Sequence, residues 1–191
     1  MNDAARRLFF ALAPGAAARA ALHALAQRHA GARARIVATS DLHLTLVFLG
    51  QVEERALPRW QAAAAALHAA PCNVRLDSLE RWRGGLLCAT GPVGAPLMAL
   101  HAQLVAAARG LGHAVEARPL RAHVTLARGV SPAALPVAGV PVPPVRWRSR
   151  GYCLMESRRR PDGGRYTVVG RWQLDSALDA AMQRAGRPSR G

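Results

Sequence analysis

The sequence predicts an α+β fold with antiparallel sheets, and three observations carry that prediction. Extended and helical segments alternate along the 191 residues, hairpin signatures recur within the alternation, and the second half of the chain echoes the first. A doubly wound parallel sheet would alternate without hairpins. A chain of this length buries roughly 70% of its unfolded surface and suffices for one globular unit. The expected organisation is a single two-lobed domain over residues 1–185, followed by a frayed tail at 186–191.

Residues 7–13 are short, apolar and aromatic, and Pro14-Gly15 ends them, so they read as a strand and turn. An alanine-rich helix follows to His29, with Leu22 and Leu25 at helical spacing. A short extended piece is expected at 36–37. Residues 42–49 are rich in β-formers and closed by Gly50; a helix then spans 53–70 and stops at Pro71. Residues 74–83 and 86–90 form a hairpin about Gly84-Gly85, and 96–111 a helix capped by Gly112. After an extended piece at 115–116, the grammar repeats. A strand is expected over 121–128, a proline-rich connection over 132–144, and a second hairpin pairs 145–156 with 166–174 across Asp162-Gly163-Gly164. A last helix is expected at 175–185.

Composition restricts the chemistry. Basic residues outnumber acidic ones 26 to 11, a net +15, and all 26 are arginine. Without lysine there is no Walker P-loop amine, no Schiff-base or pyridoxal catalysis and no lysine-adenylate ligase. The positive surface favours polyanions, so nucleic acid or a phosphorylated molecule is the expected partner class. The three cysteines, Cys72, Cys88 and Cys153, are scattered, which fits a reducing cytoplasm better than a disulfide framework or clustered zinc site. Arg6-Arg7 before an apolar run imitates an export signal, but Pro14-Gly15 cuts the run short and Arg19 follows. No segment reaches the ~18 apolar residues of a membrane span.

The echo is sharpest at Asp41-Leu42-His43-Leu44-Thr45-Leu46-Val47-Phe48 and Arg121-Ala122-His123-Val124-Thr125-Leu126-Ala127-Arg128. Both contain H-x-T-L. On a strand, residues i and i+2 share a face, so His43 and Thr45 point one way, as do His123 and Thr125, while the residues between them face a core. In a helix the same spacing diverges by about 200°. Two such strands facing one cleft would gather two imidazoles and two hydroxyls. A metal site needs three or four ligands, and a serine nucleophile needs its strained elbow; neither is in the sequence. His23, His29, His68, His101 and His113 lie in alanine-rich helices or loops and read as structural. Paired-histidine acid–base chemistry remains, with no metal and no cofactor.

On these motifs the chain resembles the two-histidine (2H) phosphoesterase superfamily, and within it the bacterial RNA 2',3'-cyclic phosphodiesterases, also called 2'-5' RNA ligases. The resemblance runs from Arg7-Leu8-Phe9-Phe10-Ala11-Leu12 through both motifs to Leu154-Met155-Glu156-Ser157 and Tyr166. It implies a bilobal α+β fold, two antiparallel sheets with outer helices around a central cleft lined by the H-x-T strands. It further implies hydrolysis of 2',3'-cyclic phosphate ends of RNA or nucleotides to 2'-phosphates, with His43 as acid on the 3' oxygen and His123 as base on water. An ATP-independent 2'-5' RNA ligase and a noncatalytic RNA-binding module of the same fold are the alternatives.

In-line opening of a cyclic phosphodiester needs a base and an acid on opposite sides of phosphorus. An imidazole with an ordinary pKa near 6.5 serves either role. Thr45, Thr125 and an arginine would hold the nonbridging oxygens. The resemblance favours Arg128, and Arg121, on the His123 face, is a second candidate. Position +5 from each histidine, Phe48 or Arg128, lies on the wrong face of an ideal strand and reaches the cleft only at a strand end or bulge. Phe48 therefore either stacks a nucleobase or packs in the core. Residues 158–160, three arginines, read as a solvated hairpin tip. A monomer is expected.

Overall fold

The computed structural model of the protein describes residues 5–115, 118–132, 139–158, 165–175 and 177–178. Its strands are β1 (Ala5–Leu12), β2 (Arg35–Ile36), β3 (Leu44–Glu53), β4 (Cys72–Trp82), β5 (Leu86–Gly91), β6 (Ala122–Arg128), β7 (Val140–Ser149), β8 (Gly151–Ser157) and β9 (Tyr166–Gln173). The helices are α1 (Ala16–His29), α2 (Leu57–Ala65) and α3 (Ala95–Gly110). Among the described residues, no helix is long and apolar enough to cross a membrane.

The strands join in the order β7-β4-β5-β6-β3-β1-β8-β9, with β2 added beside β6, and every pairing is antiparallel. The middle of this order is its weakest seam. β6 and β3 meet only at Val124 and Leu44, whereas their outer neighbours pair along most of their length. Two four-stranded halves therefore flank an opening between the two motif strands. One half, β4 to β7, is a continuous stretch of chain; the other combines β1 and β3 with β8 and β9.

Strand alternation sorts β1 between two cores. Leu8, Phe10 and Leu12 enter the main core with the helices, while Phe9 and Ala11 join Cys153 and Met155 on the opposite face. α1 buries Ala18, Leu22, Leu25 and Ala26, and α3 buries Leu97, Leu100, Leu104 and Ala108, each a stripe of helical spacing. Phe10 anchors an aromatic cluster, with ring centres 6.3, 6.3 and 6.1 Å from Trp60, Tyr152 and Trp172.

Several boundaries differ from the sequence reading. β3 does not end at Gly50, which takes φ +72° and still pairs with Leu8, so the strand runs on to Glu53. The helix expected over 53–70 begins as a 3₁₀ turn at Glu54–Ala56 and continues as α2 only to Ala65. Pro58 fits its first turn, and the Tyr152 hydroxyl donates to the Ala64 carbonyl at 2.5 Å where the helix ends. The expected proline-rich connection is partly strand: β7 holds Pro141, Pro143 and Pro144 because it is an edge, where missing donors are tolerated. The single strand expected over 145–156 breaks at Arg150, where the chain passes from one half to the other. Val115 lies outside any strand. Glu116, most of the 175–185 helix and the 186–191 tail lie outside the described residues.

Phe10→Ala removes the centre of the aromatic cluster and should cost about 3–5 kcal/mol. Urea unfolding followed by tryptophan fluorescence measures it; a loss below about 1 kcal/mol would mean that Trp60, Tyr152 and Trp172 close over the gap.

Candidate active site

The Leu44/Val124 pairing sets the register of the cleft. Carried one residue each way, it places His43 opposite Thr125 and Thr45 opposite His123. The two histidines are then diagonal neighbours, about 7–8 Å apart at Cα by sheet geometry.

Both motif strands are bulged three residues beyond the histidine. In β3 the pairing with β1 passes from Thr45 to Val47 and skips Leu46; in β6 the pairing with β5 passes from Thr125 to Ala127 and skips Leu126. Each bulge reverses the alternation that follows it. Val47 and Ala127 are consequently buried, and the +5 residues turn toward the cleft. Phe48, 47% exposed, lines cavities on both sides of Thr45, and Arg128 lines the one that contains His43.

His43 sits just before β3, its Nδ1–H donating to the Asp41 carbonyl at 2.7 Å. Because a carbonyl only accepts, Nε2 is the nitrogen left for chemistry. The ring rests on Phe9 (4.8 Å between centres) and meets Tyr166 edge-on (4.7 Å). Asp41 also works through its buried carboxylate, which accepts the Arg165 backbone N–H at 2.9 Å and ties down the start of β9 beside Tyr166.

His123 repeats the arrangement with different walls. Its Nδ1–H donates to the Arg121 carbonyl at 2.8 Å, again leaving Nε2. Trp82 covers the ring at 4.4 Å. Glu80 holds this platform by accepting from Trp82 Nε1–H (2.6 Å), the Thr90 hydroxyl (2.9 Å) and the Arg121 guanidinium (2.8 Å), which also lies over Trp82. Arg121 thus already has a carboxylate partner. Thr125 lies beside Cys88, with Oγ1 3.8 Å from Sγ.

Two cavities meet at Thr45 and Phe48. One, about 220 Å³, runs from His123 and Trp82 to His101 and Arg118; the other, about 460 Å³, holds His43, Arg7, Arg128, Arg165 and Tyr166. Among the described residues, no group of three or more His, Cys, Asp or Glu side chains is placed to hold a metal ion. Tyr166, Trp82, Glu80 and Arg7 were not singled out from sequence as site residues. Register alone brings them to the histidines; Tyr166 carried a signal in lying within the resembling segments.

Paired H-x-T strands with like-oriented imidazoles across an α+β cleft define a two-histidine phosphoesterase. The model of the 2'-5' RNA ligase superfamily matches residues 10–161, and the chain belongs to that superfamily. It is 29% identical over 174 residues to the RNA 2',3'-cyclic phosphodiesterase of Escherichia coli K12, spanning 88% of this chain and 97% of that one. The crystal structure of E. coli LigT complexed with 3'-AMP superposes with TM-score 0.75 at 28% identity, over 90% of this chain and 99% of that one. A crystal structure from Thermus thermophilus gives TM-score 0.75 at 29% identity, over 88% and 97%.

Burial pushes both imidazoles below the ordinary 6.5, against the pull of their carbonyl partners. At His43, repulsion from His123 and Arg128 is opposed by the Asp41 charge; at His123, repulsion from Arg121 is opposed by Glu80. Between those depressed values and 6.5 the unfolded chain binds more protons than the native one, so their contribution to stability falls as pH falls through this window. The double variant His43→Gln/His123→Gln should therefore lose less stability than wild type between pH 7 and pH 5, as read by urea midpoints. An equal loss in both proteins would refute the assignment.

Proposed function

We propose that this protein hydrolyses the 2',3'-cyclic phosphate ends of RNA and nucleotides to 2'-phosphates without a metal ion. The observation that carries the reading is the matched pair of Nδ1–H bonds to carbonyls two residues upstream, which leaves two Nε2 atoms for one substrate. The comparisons support the substrate class: a relative is named RNA 2',3'-cyclic phosphodiesterase, and the E. coli LigT structure holds a nucleoside monophosphate, 3'-AMP.

His123 takes a proton from the attacking water while His43 gives one to the departing 3' oxygen, so the pair begins with one proton and ends with it transferred. Arg128, Thr45 and Thr125 hold the nonbridging oxygens, where charge concentrates. Arg121 reaches the phosphate only by leaving Glu80. Phe48 offers an exposed ring for a nucleobase. The donor set of two imidazoles, hydroxyls and guanidiniums supports chemistry without a metal. Cys72, Cys88 and Cys153 are buried as free thiols, an arrangement that fits a reducing cytoplasm. Both motifs on one chain support a monomer.

His43→Ala and His123→Ala should each lower kcat by about 10² to 10⁴ on a nucleoside 2',3'-cyclic phosphate, and EDTA should change nothing. Full activity in either variant, or loss in EDTA with rescue by a divalent ion, would overturn the reading. A substrate with a much better leaving group at the 3' position should restore His43→Ala and not His123→Ala; the reverse pattern exchanges the two roles.

The active form of the free enzyme carries one proton on two depressed imidazoles. Its kcat/KM should therefore peak below pH 6.5, whereas kcat, measured with the anion bound between them, should peak higher. Coincident optima above 6.5 would exclude this protonation scheme.

A further inference from the structure

The bulges that shape the cleft are tied down from outside their ladders. Besides Leu46 and Leu126, a third skipped residue, Leu49, lies between Phe48 and Gly50 in the β1–β3 pairing. In β6 the Leu126 carbonyl accepts the Val37 backbone N–H at 2.8 Å from the segment after β2. Among the described residues β3 pairs with β6 only at Leu44, so beyond it β6 offers the open edge of β3 no backbone donors. Histidines supply them instead. His101 Nδ1–H on α3 donates to the Leu46 carbonyl at 2.9 Å, and His113 Nε2–H, just beyond α3, donates to the Leu49 carbonyl at 2.6 Å. Trp60 holds the His113 ring edge-on at 5.2 Å.

We propose that His101 and His113 are positioning residues that fix the two bulges around Phe48 and so hold its ring in the cleft for the nucleobase. The placement of Phe48 stands on the geometry; its consequence for substrate rests on the function proposed above. The two tethered carbonyls bracket Val47 and Phe48, whose faces depend on the Leu46 bulge. Without a donor to Leu46, regular pairing would return Val47 to the cleft and Phe48 toward the core. Both histidines act through a ring N–H held on a carbonyl, and neither needs to touch substrate. Their spacing in sequence has no meaning on a helix, since the bulges they serve dictate it.

Protein labelled with 4-fluorophenylalanine carries three reporters, at Phe9, Phe10 and Phe48. In ¹⁹F NMR, His101→Ala should move the Phe48 resonance most, with smaller shifts at Phe9 and Phe10, which pair with Phe48 and Val47 across β1 and β3. His101→Asn, whose amide N–H stands where Nδ1–H does, should restore it; His101→Gln, which fills the space but places its donor farther out, should leave the resonance displaced, and Asn against Gln decides the matter if the Ala variant fails to fold. With a nucleoside 2',3'-cyclic phosphate, His101→Ala should raise KM about tenfold, the order of one lost base stack, with kcat within about twofold. With ribose 2',3'-cyclic phosphate, which has no base, KM should not rise. An unmoved Phe48 signal, a Gln variant that restores as well as Asn, or equal loss of kcat on both substrates would overturn the inference. If wild type hydrolyses neither substrate, the proposed function fails and the fluorine spectra still decide the positioning.

Discussion

A strand of period two cannot turn residues at offsets 0, +2 and +5 toward one side. Everything in the cleft follows from how this chain meets that constraint. The histidine and threonine of each motif obey the alternation, and one extra residue, Leu46 or Leu126, then shifts it so that Phe48 and Arg128 join them. The same insertion buries Val47 and Ala127, so each strand gains a cleft-facing residue on one face and a core residue on the other. Opposed strands bulged at the same offset create a site with approximate twofold symmetry.

The symmetry ends at the walls. His43 lies against Phe9 and Tyr166, in a cavity with three arginines, whereas His123 lies under Trp82, held by Glu80 and Arg121. Both surroundings remove water from an imidazole and make its protonation costly. Each has one carboxylate that favours its proton, Asp41 at His43 and Glu80 at His123, and cationic neighbours that oppose it: Arg128 and the other histidine at His43, Arg121 at His123.

Much of this was legible beforehand because its signals were local. Alternating apolar residues around His43 and His123, the glycines at 84–85 and the leucine spacing in α1 and α3 each report on their own neighbourhood. What sequence missed was set by distant partners. Pro141 looks like a connector until β7 proves to be an edge, and the break at Arg150 makes sense only once β7 and β8 belong to different halves. The Phe48 and Arg128 offsets required a strand end or a bulge if either was to reach the cleft, but did not say which, nor which residue would be skipped. Trp82, Glu80 and Tyr166 came to the histidines through strand register across long stretches of chain, and nothing beside them in sequence announces it.

The division of the sheet also has a consequence for how the chain leaves the ribosome. The half containing β4 to β7 is contiguous, so its strands emerge one after another and find partners made within the same stretch. The other half waits. β1 and β3 emerge first, but β8 and β9, which complete the surroundings of His43, come last, and more than a hundred residues separate His43 from Tyr166. Until they arrive, the apolar flank of β1 bearing Phe9 and Ala11 is uncovered, a surface for which a nascent chain needs protection. The surroundings of His43 and the cover of that flank are therefore completed together, by the same two strands.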